Sequence, residues 1–306
     1  MKRVIFTGAT SFLGMHVLRK LSGNGYEIYA LVRATSIYKL KSLNLPNVRI
    51  YEGTLQDLRE AFRDVDQADI FLHFAWDGSG DVGRTSVDVQ HKNVEYSMEA
   101  LNLANRLGCS QFVFPGSQAE YGICHEKIKE NQEANPMSPY GRAKIEFANW
   151  AHDYCEERNI KFLHLRIFSV YGYGDRQGTL VDSCVKSFYS EKHISLGPCL
   201  QKLNYLYIED FCEILLRMLH SNCLSGIYNI ASEDTRILRE YVYEIYTVLG
   251  EKGTVDFSNV VVKPEGVPDL DPDIDRIKNI IGDMKFTTFK QGISEILSQL
   301  EEESLL

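Results

Sequence analysis

The chain has 306 residues, 44% hydrophobic and 25% charged, enough apolar material for one or two packed domains. A formal net charge of −9 argues against general nucleic-acid binding, and no stretch is long and apolar enough for a membrane span, so neither partner is expected and a cytoplasmic location is. Seven scattered cysteines without C-x-x-C spacing, and eight dispersed histidines, give no reason to expect a disulfide framework or a metal site.

In chain order, Val4-Ile5-Phe6 predicts a buried strand, Thr7–Gly14 a glycine-bearing turn, and Val17-Leu18…Leu21 a helix closed by Gly23-Asn24-Gly25. Strand, turn and helix are the opening of a dinucleotide-binding βαβ unit, with the helix amino terminus aimed at a pyrophosphate. Ser11 stands where that pattern places its middle glycine. The second strand, Glu27–Val32, ends at Arg33. An acidic residue there suits the ribose 2′-hydroxyl of NAD, whereas an arginine accommodates the 2′-phosphate of NADP, so NADP(H) is favoured and NAD(H) kept as the alternative. Further strands are expected at Val48–Tyr51, Ile70–Phe74 and Phe112–Phe114, with helices from about Leu55 and as one long element near Thr85–Leu107. Such alternation predicts an α/β fold, a Rossmann-like doubly wound parallel sheet. His73 reads as a satisfied core histidine.

Ser117 closes the fifth strand, where its hydroxyl can hold a substrate oxygen. Ser138-Pro139 is a helix start, which puts Tyr140 in the first turn and Lys144 one turn on, on the same face. A phenol with a reference pKa of about 10 is a poor base near neutrality, and a neighbouring cation favours the phenolate. Alone, a Tyr-x-x-x-Lys pair is more often a surface tyrosine beside a solvated lysine; here it follows a cofactor turn and a strand-end serine.

The motifs Thr7-Gly8-x-x-Ser11-x-x-Gly14, His73-x-Ala75, Asn93, Ser117-x-x-x-Tyr121-Gly122, Tyr140-x-x-x-Lys144, Leu165–Gly172, Tyr207–Asp210 and Gly226–Ile230 together resemble the extended short-chain dehydrogenase/reductases, the NAD-dependent epimerase/dehydratase family acting on nucleotide sugars. The likeness runs essentially end to end. It implies a nucleotide-binding domain over 1–165, with segments returning from the second half, and a smaller substrate-binding cap mainly over 166–306. It also makes Ser117, Tyr140 and Lys144 the catalytic residues, with a nucleotide-sugar substrate and a homodimer expected. Gly8, Thr10, Ser11, Phe12, Leu13, Gly14, Arg33, Thr54, Leu55, Phe74, Ala75, Trp76, Asn93, Tyr140, Lys144, Phe168 and Val170 would hold the cofactor. Trp76, Asp77, Ser117, Gln118, Tyr140, Ser169, Arg176 and Lys202 would meet the substrate.

Within the family, dehydratases carry an Asp-Glu pair after the catalytic serine, and members that epimerise at C3 and C5 carry a cysteine at the second of these positions. This chain has Gln118-Ala119. What remains is hydride transfer at C4: an NADP(H)-dependent 4-ketoreductase, with some likeness to CDP-abequose and paratose synthases, or a 4-epimerase with tightly held NAD. A cofactor-sensing protein that keeps the fold without chemistry is the rival of another class.

In the second half, Leu203-Asn204 replaces the family's diphosphate-gripping Arg-Asp, and Ser169 replaces an asparagine. Tyr171–Asp175 is expected as a mobile loop over the pocket, Ile237–Gly250 as an amphipathic helix, Pro264–Pro272 as a loop, Ile274–Ile281 and Ile293–Leu300 as closing helices, and Glu301–Glu303 as a solvated tail.

Overall fold

A computed structural model describes residues 1–259 and 269–303. They divide into two compact units. The first takes Met1–Gly122, Glu133–Ile167 and Leu215–Tyr228; the second takes Ile123–Gln132, Phe168–Ile214 and the chain from Asn229 onward.

Up to residue 167 strands and helices alternate: β1 Arg3–Thr7, α1 Phe12–Gly23, β2 Glu27–Val32, α2 Ile37–Lys41, β3 Val48–Glu52, α3 Leu58–Ala61, β4 Ile70–His73, α4 Asp81–Arg84, α5 Val87–Arg106, β5 Gln111–Ser117, α6 Pro139–Arg158 and β6 Lys161–Ile167. There follow β7 Ser169–Tyr171, α7 Leu180–Tyr189, β8 His193–Ser195, β9 Lys202–Tyr207, α8 Ile208–His220, β10 Gly226–Ile230, β11 Thr235–Ile237, α9 Leu238–Val248, β12 Thr254–Asp256, α10 Asp275–Ile281 and α11 Phe289–Glu302.

Among the described residues, seven strands form one sheet in the order β10-β6-β5-β4-β1-β2-β3, with β1 to β6 paired in parallel. This is the doubly wound α/β fold. β4 and β5 are buried along their whole length, and their runs Ile70-Phe71-Leu72 and Phe112-Val113-Phe114 are apolar throughout because both faces of a parallel sheet are covered. On one face, Phe112, Phe114 and Phe162 meet Phe147 of α6, Phe114 and Phe147 having ring centroids 4.7 Å apart, and Phe71 stacks on Phe112.

The long helix expected near Thr85–Leu107 is α5, Val87–Arg106, and the short α4 lies just before it. Ser86 caps α5, its side chain accepting from Val89 N–H, so α4 stops at Arg84 and the chain turns. In the second unit β11 pairs antiparallel with β9, β9 in parallel with β7, and β8 in parallel with β12. Its core is aromatic: Tyr171, Tyr205, Tyr241 and Phe289 lie with ring centroids 4.7 to 5.6 Å apart. Tyr171, expected in a mobile loop, therefore closes a strand and is buried; only the residues after it lie outside helix and strand.

Asn204 is buried, donating to Ser232 O and Thr235 Oγ1 and accepting from Ser232 N–H, so it ties β9 to the turn before β11. Most of the expected loop Pro264–Pro272 lies outside the described residues. Glu301 and Glu302 continue α11 rather than forming a tail. No helix among the described residues is long and apolar enough to cross a membrane.

Candidate active site

The turn between β1 and α1 lies where the strand order reverses, at β4-β1-β2, the place where open parallel sheets bind ligands. Gly8 has φ +80°, and a Cβ there would lie 2.5 Å from the backbone of Phe74 and Ala75, so the turn closes directly against the end of β4. Ser11 caps the helix: its Oγ accepts from Gly14 N–H and donates to Gly8 O. With φ −73°, Ser11 needs no glycine conformation. Helix geometry gives Phe12 and Leu13 N–H no intrahelical acceptor, and the positive end of the twelve-residue helix lies there, so the donor set fits a dinucleotide pyrophosphate. Thr10 lies in the same turn.

Gly14 packs so tightly on Gly8 O and Ala9 that a methyl group cannot be added without moving the turn. Gly14→Ala is therefore expected to cost about 2 kcal/mol in urea unfolding and to weaken cofactor binding at least tenfold. A variant with both values unchanged would show that the turn has slack.

Around this turn, Arg33 is exposed at the end of β2, with its guanidinium 3.7 Å from the exposed Asp77 carboxylate. Such a pair holds little energy and leaves Arg33 available to a phosphate. Thr54 caps the turn after β3, its Oγ1 accepting from Gln56 N–H and donating to Asp57, with Leu55 next to it half-buried.

His73 is satisfied on both nitrogens. Ser97 Oγ donates to Asn93 O at 2.6 Å, so it accepts from His73 Nε2–H, which leaves Nδ1 to accept from Thr7 Oγ1. Burial, together with the charge of Lys144, pushes its pKa down to about 3, so it is neutral. Asn93 then holds the segment after β4: its Oδ1 accepts from Asp77 N–H at 2.9 Å and its Nδ2 donates to Asp77 O at 2.8 Å. Gln90, one turn earlier, accepts from Trp76 Nε1 and donates to Gly78 O and Gly83 O. The Phe74–Asp77 segment is thus pinned from α5.

Ser117 ends β5 and is nearly buried; its Oγ accepts from Ala119 N–H and donates to Gln118 Oε1. Ser138 caps α6 by accepting from Gly141 N–H, Pro139 takes the first position, and Tyr140 and Lys144 follow on one buried face. The first turn of α6 presses on the turn after Ser117, since a Cβ on Gly141 would lie 2.6 Å from Ala119 O. Lys144 Nζ donates to Pro115 O at 2.8 Å and lies 3.6 Å over the Trp76 ring. Burial, opposed by Glu120 and reinforced by Arg84, pushes its pKa well below the usual lysine value. The Arg84 guanidinium covers the Tyr140 ring, 4.2 Å from its centroid.

The remaining predicted residues lie in the second unit. Phe168 is buried and donates its N–H to Ile230 O, and Ser169 and Val170 are half-buried in β7. Arg176 is exposed, and Lys202 Nζ lies 3.6 Å from Asp271. Sequence reasoning missed Arg84, Gln90 and Glu120. For Glu120 there was a signal: His164 and Arg166 alternate with apolar residues in a strand buried on both faces, which demands a buried counter-charge.

The model of the NAD dependent epimerase/dehydratase family matches residues 4–231. A CDP-abequose synthase of Salmonella muenchen is 27% identical over 231 residues, 75% of this chain and 74% of its own. An uncharacterized UDP-glucose epimerase of Bacillus subtilis strain 168 is 25% identical over 97% of this chain and 98% of its own. Among solved structures, UDP-glucuronic acid 4-epimerase of Bacillus cereus, in complex with NAD and a fluorinated UDP-glucuronic acid, superposes with a TM-score of 0.86 at 19% identity, covering 99% of this chain and 100% of the other. The dTDP-glucose 4,6-dehydratase of Streptomyces venezuelae, with NAD bound, also gives 0.86 at 21% identity, over 98% and 97% of the two chains. With the family model matched over well beyond half its length, the chain is a member of the NAD dependent epimerase/dehydratase family, within the extended short-chain dehydrogenase/reductases.

Proposed function

We propose that the protein is an NADP(H)-dependent oxidoreductase that reduces a 4-keto group on a nucleotide-activated deoxysugar. The observation that carries this reading is an intact Ser117, Tyr140 and Lys144 beside Gln118 and Ala119, two positions without a carboxylate. The nearest acidic side chain in sequence, Glu120, is fully buried and held by His164 and Arg166, so it does not stand by as the second acid–base group that dehydration needs.

A nicotinamide supplies or accepts the hydride at C4 when bound. Gly8, Ser11 to Gly14 and the Phe74–Trp76 segment would hold the dinucleotide, and Arg33 its 2′-phosphate. Tyr140 Oη gives the proton to the carbonyl oxygen. Ser117 Oγ turns from Gln118 to donate to that same oxygen, fixing it for protonation. Lys144 and Arg84, whose charges lie 5.6 and 4.2 Å from the centre of the phenol ring, lower the cost of negative charge on Tyr140 once the proton has gone. Ser169, Arg176 and Lys202 are the further residues expected to meet the substrate, and the protein works as a cytoplasmic homodimer.

A second reading, a 4-epimerase with tightly held NAD, is favoured by the relative from Bacillus subtilis that matches nearly end to end.

The deciding measurement is nicotinamide absorbance with a panel of nucleotide-linked 4-keto-6-deoxysugars, NADPH and NADH being supplied separately. NADPH consumed in step with product is expected. Arg33→Ala should then raise the KM for NADPH about tenfold and leave that for NADH unchanged, the loss of one charge-assisted contact. Interconversion of C4 epimers by protein that retains NAD would move the assignment to the epimerase; silence in both assays would favour the cofactor sensor.

A further inference from the structure

The carboxylate of Glu120 lies directly behind the catalytic serine. Glu120 is fully buried, and three donors converge on its two oxygens. Oε1 accepts from Ser117 N–H at 2.8 Å; His164 Nε2 lies 3.1 Å from Oε1 and 3.0 Å from Oε2; Arg166 Nε donates to Oε2 at 2.8 Å. A carboxylate only accepts, so His164 Nε2 carries its proton toward Glu120. His164 and Arg166 are two residues apart on β6 and share one face of the sheet, so the strand presents them as a fixed fork.

Burial opposes charge on Glu120, but His164 and Arg166 more than offset it and hold the carboxyl below its usual range. Gly116 completes the fit. A Cβ there would run into His164 Nε2 and Glu120 Oε1, so the residue preceding Ser117 has to be a glycine for the cluster to exist. The bond from Ser117 N–H to Glu120 and the bond from Ala119 N–H to Ser117 Oγ form a reciprocal capping box, which fixes both the backbone and the hydroxyl of the serine. A lone cap at a surface turn needs only a solvated side chain; this one is anchored to a histidine and an arginine inside the sheet.

We propose that Glu120 is the positioning residue of Ser117, and that His164 and Arg166 are the strand-borne partners that aim its carboxylate. The inference rests on the proposed reduction only for the role of Ser117. Three donors meet two carboxylate oxygens, so an amide, with one oxygen and two hydrogens, cannot serve them all, and the serine turn has to relax.

The test is Glu120→Gln in the full-length protein with NADP(H) bound. Its crystal structure should show Ser117 Oγ displaced, and kcat on the ketosugar should fall about tenfold to a hundredfold while KM stays within about twofold, the pattern of a misplaced catalytic group. In a Ser117→Ala background the same substitution should change kcat less than about twofold, whereas a merely structural loss would repeat in both backgrounds. If Glu120→Gln does not fold, His164→Gln, which keeps the pairing with Arg166, takes its place in every measurement. Ser117 Oγ left in place, or equal losses in the two backgrounds, overturns the proposal. If the wild type turns over no ketosugar, the proposed function fails on its own account, and the position of Ser117 in the variant crystal decides this inference alone.

Discussion

Tyr140→Phe is expected to lower kcat by about a thousandfold, the middle of the range for removing a positioned general acid, while cofactor affinity stays within about threefold. The substitution removes one oxygen and leaves the ring. That ring packs against the Arg84 guanidinium, 4.2 Å from its centroid, and against Trp76, with ring centroids 6.2 Å apart, and phenylalanine keeps both ring contacts. Helix α6 keeps its Ser138 cap and Pro139 start, so Lys144 stays one turn on. The variant therefore separates chemistry from architecture. Stopped-flow hydride transfer should slow as much as steady-state turnover, because the proton leaves Tyr140 as the carbonyl oxygen gains charge. A loss of only a few-fold with cofactor bound would remove Tyr140 as the acid and leave a water, held by Ser117, as the donor.

The parts of this site that were legible in the sequence are those whose cause is local. A serine followed by a proline starts α6, and helical spacing then puts Tyr140 and Lys144 on one face whatever else the chain does. Gly8 and Ser11 are likewise read from a single turn, although only the structure shows the serine replacing the missing glycine by capping Gly14. What was not legible depends on partners far along the chain. Glu120 and Arg166 are 46 residues apart, and Arg84, on the short α4 that precedes the expected long helix, covers the ring of Tyr140 on a separate element. Tyr171 was misread for a related reason: its glycine-rich neighbours signal a loop, while burial against Tyr205, Tyr207 and Phe289 makes it a strand residue. Tertiary packing outweighed the local signal in each case.

Lys144→Met is expected to reduce turnover by about a hundredfold or more and, at the same time, to stabilise the cofactor-free protein. Lys144 is almost fully buried; its ammonium donates to Pro115 O and lies over the rings of Trp76 and Phe114. Removing a charge so poorly solvated is favourable even after Pro115 O loses its donor, and a net gain of about 1–2 kcal/mol, a few degrees in Tm, is expected at neutral pH. The sign follows from the lowered pKa. Below the unfolded lysine value of 10.5 the unfolded chain takes up a proton that the folded chain resists, so the wild type loses stability as pH falls through that window. The advantage of methionine should accordingly be full at pH values below the folded pKa and should vanish as pH rises past about 10.5. Thermal unfolding of both proteins from pH 6 to 10.5 measures it; parallel curves, or a variant less stable at neutrality, would mean that the ammonium is better solvated than its neighbours suggest. A residue that costs stability in the empty protein and is kept nonetheless is one whose charge is used when the site is filled.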